Sequence, residues 1–216
     1  MKWIHYFSNS KIPFYIYYLK KGDSIIKITN RCYNSSIIIL HGTLYVLKLF
    51  INKEAALINI VNKNCIIDIK KNIINNNSYY KIIALEEAYI LSFPSNFFEN
   101  TKKININLYI SLIKSYKNTL NNYESINQIL QHIYFKHRIV QLLLFLFIEC
   151  GTITQTSIKT SFNIHKNDIA IMIGANTNTI NKIIKQLEHS NIINYSNYYN
   201  LKLENKMIYR YLMLLN

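Results

Sequence analysis

Between Asn163 and Leu187 the chain sets amides, hydroxyls and lysines at spacings that suit contact with a polyanion. Ile180, Ile183, Ile184 and Leu187 recur at i, i+3, i+4 and i+7, the buried stripe of an amphipathic helix. At ~100° per residue, with Ile180 as zero, Asn178, Lys182 and Lys185 lie near ~160°, ~200° and ~140°, facing away from that stripe. Asn181 and Thr177 flank this face, and no acid shares it. An Asn can pair with adenine N6 and N7, and a Lys can reach guanine O6 and N7 or a phosphate oxygen. A helix entering the major groove needs that combination. Lys166 and Asn167, opening the preceding helical stretch, are further candidates for DNA contact. The plainer alternative is a solvated amphipathic helix, and the surrounding elements decide against it.

Those elements form a positioning frame. Ile169, Ala170 and Ile173 share one face of the preceding helix, where the small Ala170 lets a second helix approach closely. Gly174 ends that helix at a sharp turn, and Asn176 is a competent N-cap for the next one. Strands expected over Ile192–Ser196 and Tyr199–Leu203, around Ser196-Asn197-Tyr198, follow as a wing. Upstream, Phe135 to Cys150 reads as an almost wholly apolar helix that ends at Gly151, a good C′ residue. A polar connection, Thr152–Ser161, joins the two parts.

Further upstream the apolar positions Ile106, Ile110, Ile113, Tyr116, Leu120, Tyr123, Ile126, Leu130 and Ile133 recur about every 3.5 residues, as in a coiled-coil seam. A helix of that length, at ~1.5 Å per residue, spans roughly 40 Å. It is too long for one small sandwich to cover, so a homodimer through this helix is expected; packing on its own domain alone is the alternative. Residues from about 15 to 95 read as strands: Tyr15–Leu19, Ser24–Ile28, Ile37–Leu40, Thr43–Phe50, Ala56–Val61 and Ile82–Phe93. Turn material such as Lys21-Gly22-Asp23 and His41-Gly42 separates them, which suggests a sandwich or jelly roll. The expected fold class is α+β. A jelly-roll domain covers 1–100, a dimerisation helix 101–133, and a winged helix-turn-helix domain 134–216.

Composition excludes several classes. With 25 basic and 11 acidic residues the formal charge is +14 over 216 residues, yet it is spread almost evenly along the chain and locates no site. Half the residues are hydrophobic, so a packed core is expected. The best apolar run, Leu142 to Ile148, is far short of the ~18 residues of a membrane span, and the N-terminus carries no secretory pattern. Cys32, Cys65 and Cys150 are widely spaced and read as reduced, mostly buried thiols. His132, His137 and His165 are scattered, and no nucleophile–base pair, paired carboxylate or phosphate-binding loop appears, so no enzyme is expected. Only Arg31, Arg138 and Arg210 are arginine, against many Lys, Asn, Ile, Tyr and Phe. That is the usage of an A+T-biased genome, and it points to a plastid stroma or, alternatively, the cytoplasm of an A+T-rich bacterium.

The segment HKNDIAIMIGANTNTINKIIKQLEHSNII resembles the helix-turn-helix of CRP/FNR-type transcription regulators. HRIVQLLLFLFIECG is similar to the helix opening their DNA-binding domain, and LKKGDSIIKI, IIILHGTLYVLKL and ALEEAYILSFP are similar to their N-terminal jelly roll. Within the family the nitrogen-regulator branch of NtcA type, with its plastid-encoded members, is most alike. The resemblance implies a homodimer that binds a palindrome in double-stranded DNA and acts on RNA polymerase, with no membrane partner.

Several family positions are altered. The family's leading base-reading Arg falls at Thr177, its second reader at Asn178 and its later Arg at Lys182. A bidentate Arg–guanine pair is worth about 1–3 kcal/mol of discrimination that Thr cannot supply, so the family operator is not transferred. The effector candidates by resemblance are Ile67, Asp68, Ile69 and Glu124. Asp68 stands where the cyclic-nucleotide cassette has Gly, which argues against cAMP. The two arginines that clamp 2-oxoglutarate in NtcA-type pockets fall at Ser78 and Thr119, so 2-oxoglutarate stays an open but disfavoured effector. The four-cysteine set for an iron–sulfur cluster is absent. The reading is a DNA-binding transcription regulator, with a dimeric scaffold or nonspecific nucleic-acid binder of the same fold as the alternative.

Overall fold

The computed structural model describes residues 2–28, 35–69, 79–95, 106–153, 157–160, 162–190, 193–195 and 201–204. These fall into two compact units, Met1–Ile126 and Asn127–Asn216. The boundary lies inside the long helix rather than at either end of it.

The first unit opens with a short helix, α1 (Lys2–Asn9), which the sequence pattern does not announce. Two four-stranded antiparallel sheets follow, ordered β1-β8-β3-β6 and β2-β7-β4-β5. The strands are β1 (Tyr15–Leu19), β2 (Ser24–Ile28), β3 (Ser35–His41), β4 (Leu44–Leu49), β5 (Ala55–Val61), β6 (Ile66–Ile67), β7 (Tyr79–Ala84) and β8 (Ala88–Pro94). The stretch expected as one strand, Ile82–Phe93, is two strands in different sheets. The chain turns at Leu85–Glu87, where Leu85 N–H donates to Thr43 O and Thr43 Oγ1 donates to Glu86 Oε1.

Strand β3 explains why Ile37-Ile38-Ile39 is continuous rather than alternating. Ile37 and Ile39 point between the sheets to meet Leu44, Val46, Val61, Ile82 and Ile90. Ile38 points the other way, into a second cluster with Trp3 and Phe7 of α1, Leu91, Phe93, and Leu108 and Leu112 of the long helix. A strand covered on both faces carries no polar alternation. The jelly roll is thus wrapped on one outer face by α1 and by α2 (Ile106–Gln131).

Of the seam that its hydrophobic period advertises, helix α2 buries Ile126 but leaves the members before it exposed. Leu108, Ser111, Leu112, Ser115, Asn122 and Ile126 are buried, with Thr119 half-buried among them. Ile106, Ile110, Ile113, Tyr116, Leu120 and Tyr123 are instead 40–72% exposed. The buried stripe mixes Leu108, Leu112 and Ile126 with small and polar residues, of which Thr119 and Asn122 bond strand backbone.

The second unit holds α3 (Phe135–Cys150), β9 (Gly151–Ile153), β10 (Ser157–Thr160), α4 (Lys166–Ile173), α5 (Thr177–His189), β11 (Ile193–Tyr195) and β12 (Leu201–Glu204). Its sheet is antiparallel, ordered β11-β12-β10-β9. The Thr152–Ser161 segment, read as a polar connection, supplies two of these strands. Helix α3 ends at Gly151 as expected, with that residue's backbone extended (φ −83, ψ 149). A Cβ there would come within 2.2 Å of Phe147 O and 2.6 Å of Ile158 Cγ2, so close approach of helix end and strand explains the glycine. The expected wing tip, Ser196-Asn197-Tyr198, lies outside the described residues. Among the described residues no helix is long and apolar enough to cross a membrane.

Candidate nucleic-acid interface

Helices α4 and α5 are joined by a turn whose parts match their local chemistry. Gly174 adopts φ +72, ψ 35, the left-handed conformation that costs other residues strain, and its N–H returns to Ala170 O. Asn176 Oδ1 accepts the N–H of Thr179 at 2.7 Å and caps α5. Ile169, Ala170, Met172 and Ile173 of α4 and Ile180, Ile183, Ile184 and Leu187 of α5 are buried. Burial of those four on α5 fixes which face is left outward.

That face carries Asn178, Lys182 and Lys185, all exposed, with Asn181 half-buried at its edge. Thr177 is half-buried, and its hydroxyl donates to Asn167 Oδ1 of α4 at 3.4 Å. Asn167 is exposed and Lys166 half-buried at the start of α4. The seven DNA-contact candidates are therefore brought to the first turn of α4 and the outward side of α5. Chemically, the surface offers amide donors and acceptors beside ammonium groups.

Arg138, which sequence reasoning did not single out, ties this unit together. Its Nε donates to His132 O at 2.6 Å and its Nη1 to Ile173 O at 3.3 Å, just ahead of the Gly174 turn. The guanidinium sits 5.4 Å from the Phe135 ring centre. One side chain thus fixes the start of α3 to the end of α4, a task suited to the fork of an arginine. The scarcity of arginine in the chain was the available signal.

In the first unit a cavity of about 560 Å³ lies between the β domain and α2. Of the effector candidates Ile67, Asp68 and Ile69 line it, together with Asn59, Tyr80, Tyr116, Thr119 and Tyr123. Glu124 does not. It is exposed on α2, one residue past the last that reaches the cavity, and helical geometry turns it about 100° away. Ser78, the other expected clamp position, lies outside the described residues.

Asp68 is already engaged. Ser36 Oγ donates to its Oδ1 at 3.1 Å and the Tyr116 hydroxyl donates to its Oδ2 at 3.1 Å. Burial, then the adjacent Asp68 charge, pushes the Tyr116 phenol up to about 12. Burial brings Lys27 down to about 8, opposed by attraction to Asp68. Lys27 spends its donors on Ser35, bonding that residue's carbonyl. Among the described residues no Lys, Arg or His lines the cavity. Among them, too, no group of three or more His, Cys, Asp or Glu could hold a metal ion.

No family model matches the chain. In sequence it is similar to ycf28 of Porphyra purpurea, a protein assigned by inference as an HTH-type transcriptional regulator. Identity is 26% over 192 residues, covering 88% of this chain and 79% of that protein. In structure it is similar to a cyclic nucleotide-binding domain containing protein from Listeria monocytogenes, with a TM-score of 0.73 and 16% identity, covering 93% of this chain and 95% of that one. It is also similar to a transcriptional regulator of the CRP/FNR family from Thermus thermophilus, with a TM-score of 0.64 and 16% identity, covering 88% and 93%. At these identities the structural likeness establishes the fold, a jelly roll followed by helices as in the CRP/FNR regulators.

Proposed function

We propose that this chain is a DNA-binding transcription regulator of the CRP/FNR type, working as a homodimer on a two-fold symmetric site. The observation that carries the reading is the outward face of α5. Asn178, Lys182 and Lys185 are exposed together, opposite a fully buried isoleucine and leucine stripe, on a helix whose start is fixed by Asn176. Lysines there neutralise phosphates, and the amides supply contacts to base edges. The similarity to ycf28 supports a regulator rather than an enzyme.

The second copy is argued from α2. Its exposed Ile106, Ile110, Ile113, Tyr116, Leu120 and Tyr123 form an apolar stripe at coiled-coil spacing, and a 26-residue helix at ~1.5 Å per residue extends roughly 39 Å. A parallel second copy of the same helix covers it, and a dimer of this kind binds two half-sites about one DNA turn apart. RNA polymerase is the partner that this class of regulator implies, and the A+T-biased composition favours a plastid. A link to nitrogen rests on the resemblance alone.

The test is a gel-shift titration with competitor DNA across a salt series. A regulator keeps a sequence preference after salt has removed phosphate-only binding, whereas a nonspecific binder of the same fold loses everything together. Thr177, turned to Asn167 where the family reads a base, is the feature that favours the nonspecific alternative.

A further inference from the structure

We infer that the β-domain cavity is a built-in joint, in which Thr119 and its neighbours hold α2 on the β domain without any effector. This deepens the regulator reading, since it sets how that regulator is controlled, but its geometry stands apart from DNA.

Three successive turns of α2 grip one stretch of β strand. Thr119 Oγ1 accepts the N–H of Ile66 at 2.9 Å and donates to the carbonyl of the same residue at 2.8 Å. One hydroxyl thus accepts from Ile66 N–H and shares its single proton between the carbonyls of Ile66 and, at 3.0 Å, Ser115, neither of which a Val in its place could do. The carbonyl of Thr119 accepts Asn59 Nδ2 at 2.9 Å, so the same turn is held from β5 as well. One turn further on, Asn122 is buried and donates its Nδ2 to Ile60 O at 3.0 Å. One turn earlier, Tyr116 donates to Asp68. Residues 59–68 thus meet α2 through direct bonds at Tyr116, Thr119 and Asn122.

A ligand acting here would have to bridge helix and sheet, and those bridges are already made. The walls also oppose the acidic effectors. Asp68 is the one ionisable carboxylate among the described lining residues, and none of those residues is a cation. An entering anion would surrender its water to face a like charge with no cation among the described lining residues to pair with. Thr119 is therefore a positioning residue: it sets the helix that carries the apolar seam.

The experiment is hydrogen exchange by mass spectrometry on the dialysed full chain, with native mass spectrometry to verify that no small molecule is retained. Peptides covering 59–68 and 113–123 should be equally protected alone and with millimolar cAMP or 2-oxoglutarate. Thr119→Val should speed exchange in both peptides by about tenfold, and Thr119→Ser should return it to within about twofold of the parent. Tyr116→Phe, should the Val variant fail to fold, should speed exchange of the 59–68 peptide alone. Protection that rises on adding either ligand would overturn the inference, as would variants that exchange like the parent. Because no DNA is present, failure to bind DNA would sink the regulator reading and leave the joint standing.

Discussion

The hydroxyl of Thr177, first residue of α5, donates to Asn167 of α4 at 3.4 Å. The bond turns this side chain back toward the first turn of α4. Thr177→Arg should therefore add a reader. Expected is a gain of about 1–3 kcal/mol in discrimination for guanine at one position of each half-site, read by competition with base-substituted duplexes. Equal gains on every duplex would mean that the new charge meets only phosphate.

The turn ahead of α5 should be sensitive in a graded way. Asn176→Ala removes the acceptor for Thr179 N–H and should cost about 1 kcal/mol, while Asn176→Asp should stay close to the parent. Gly174→Ala meets no neighbouring atom within 4 Å, so its cost, about 1 kcal/mol, should come from the left-handed backbone alone. Urea denaturation monitored by circular dichroism measures all three. A Gly174→Ala variant as stable as the parent would contradict the turn geometry.

The α2 seam is best tested at Ile113, which is 66% exposed and does not line the cavity, whereas Leu120 does both. Ile113→Lys should leave the monomer folded and abolish the dimer in analytical ultracentrifugation. A dimer of unchanged affinity would place the partner elsewhere.

Two groups facing Asp68 give opposite pH dependences. Lys27 has a folded value near 8 against an ordinary 10.5, so between those values the folded chain has released a proton that the unfolded chain keeps. Stability should rise with pH there. Tyr116 is raised from 10.0 to about 12, so its contribution is complete below pH 10 and is lost as the pH climbs towards 12. Urea midpoints from about pH 7 to 11 should show the rise in the parent and not in Lys27→Met. Parallel curves for the two proteins would show that Lys27 is not desolvated.

Periodicity made the second unit of the chain readable. The α5 stripe, the Gly174 turn and the Asn176 cap are local features, and local geometry decides them. The α2 helix was readable in extent but not in orientation. Its hydrophobic period marks the seam, while the face turned to the β domain contains Ser111, Ser115, Thr119 and Asn122, whose burial depends on strand backbone far away in sequence. Strand β6 and the division at Leu85–Glu87 were hidden for the same reason. Gly151 was legible as the end of α3, but the closeness of Phe147 O and Ile158 that demands a glycine there was not. Of the effector candidates, Ile67, Asp68 and Ile69 reach the cavity. Glu124 does not, because matching a motif position fixes no rotation about the helix.

The central claim is that the outward face of α5 reads DNA. Selection of bound duplexes from a random pool, repeated with Lys182→Ala, tests it most directly. Enrichment of a two-fold symmetric sequence whose half-sites lie about 10 base pairs apart is expected, with binding weakened by about 1–3 kcal/mol in the variant. A pool with no enriched sequence at any salt concentration, or a variant that binds like the parent, would contradict it.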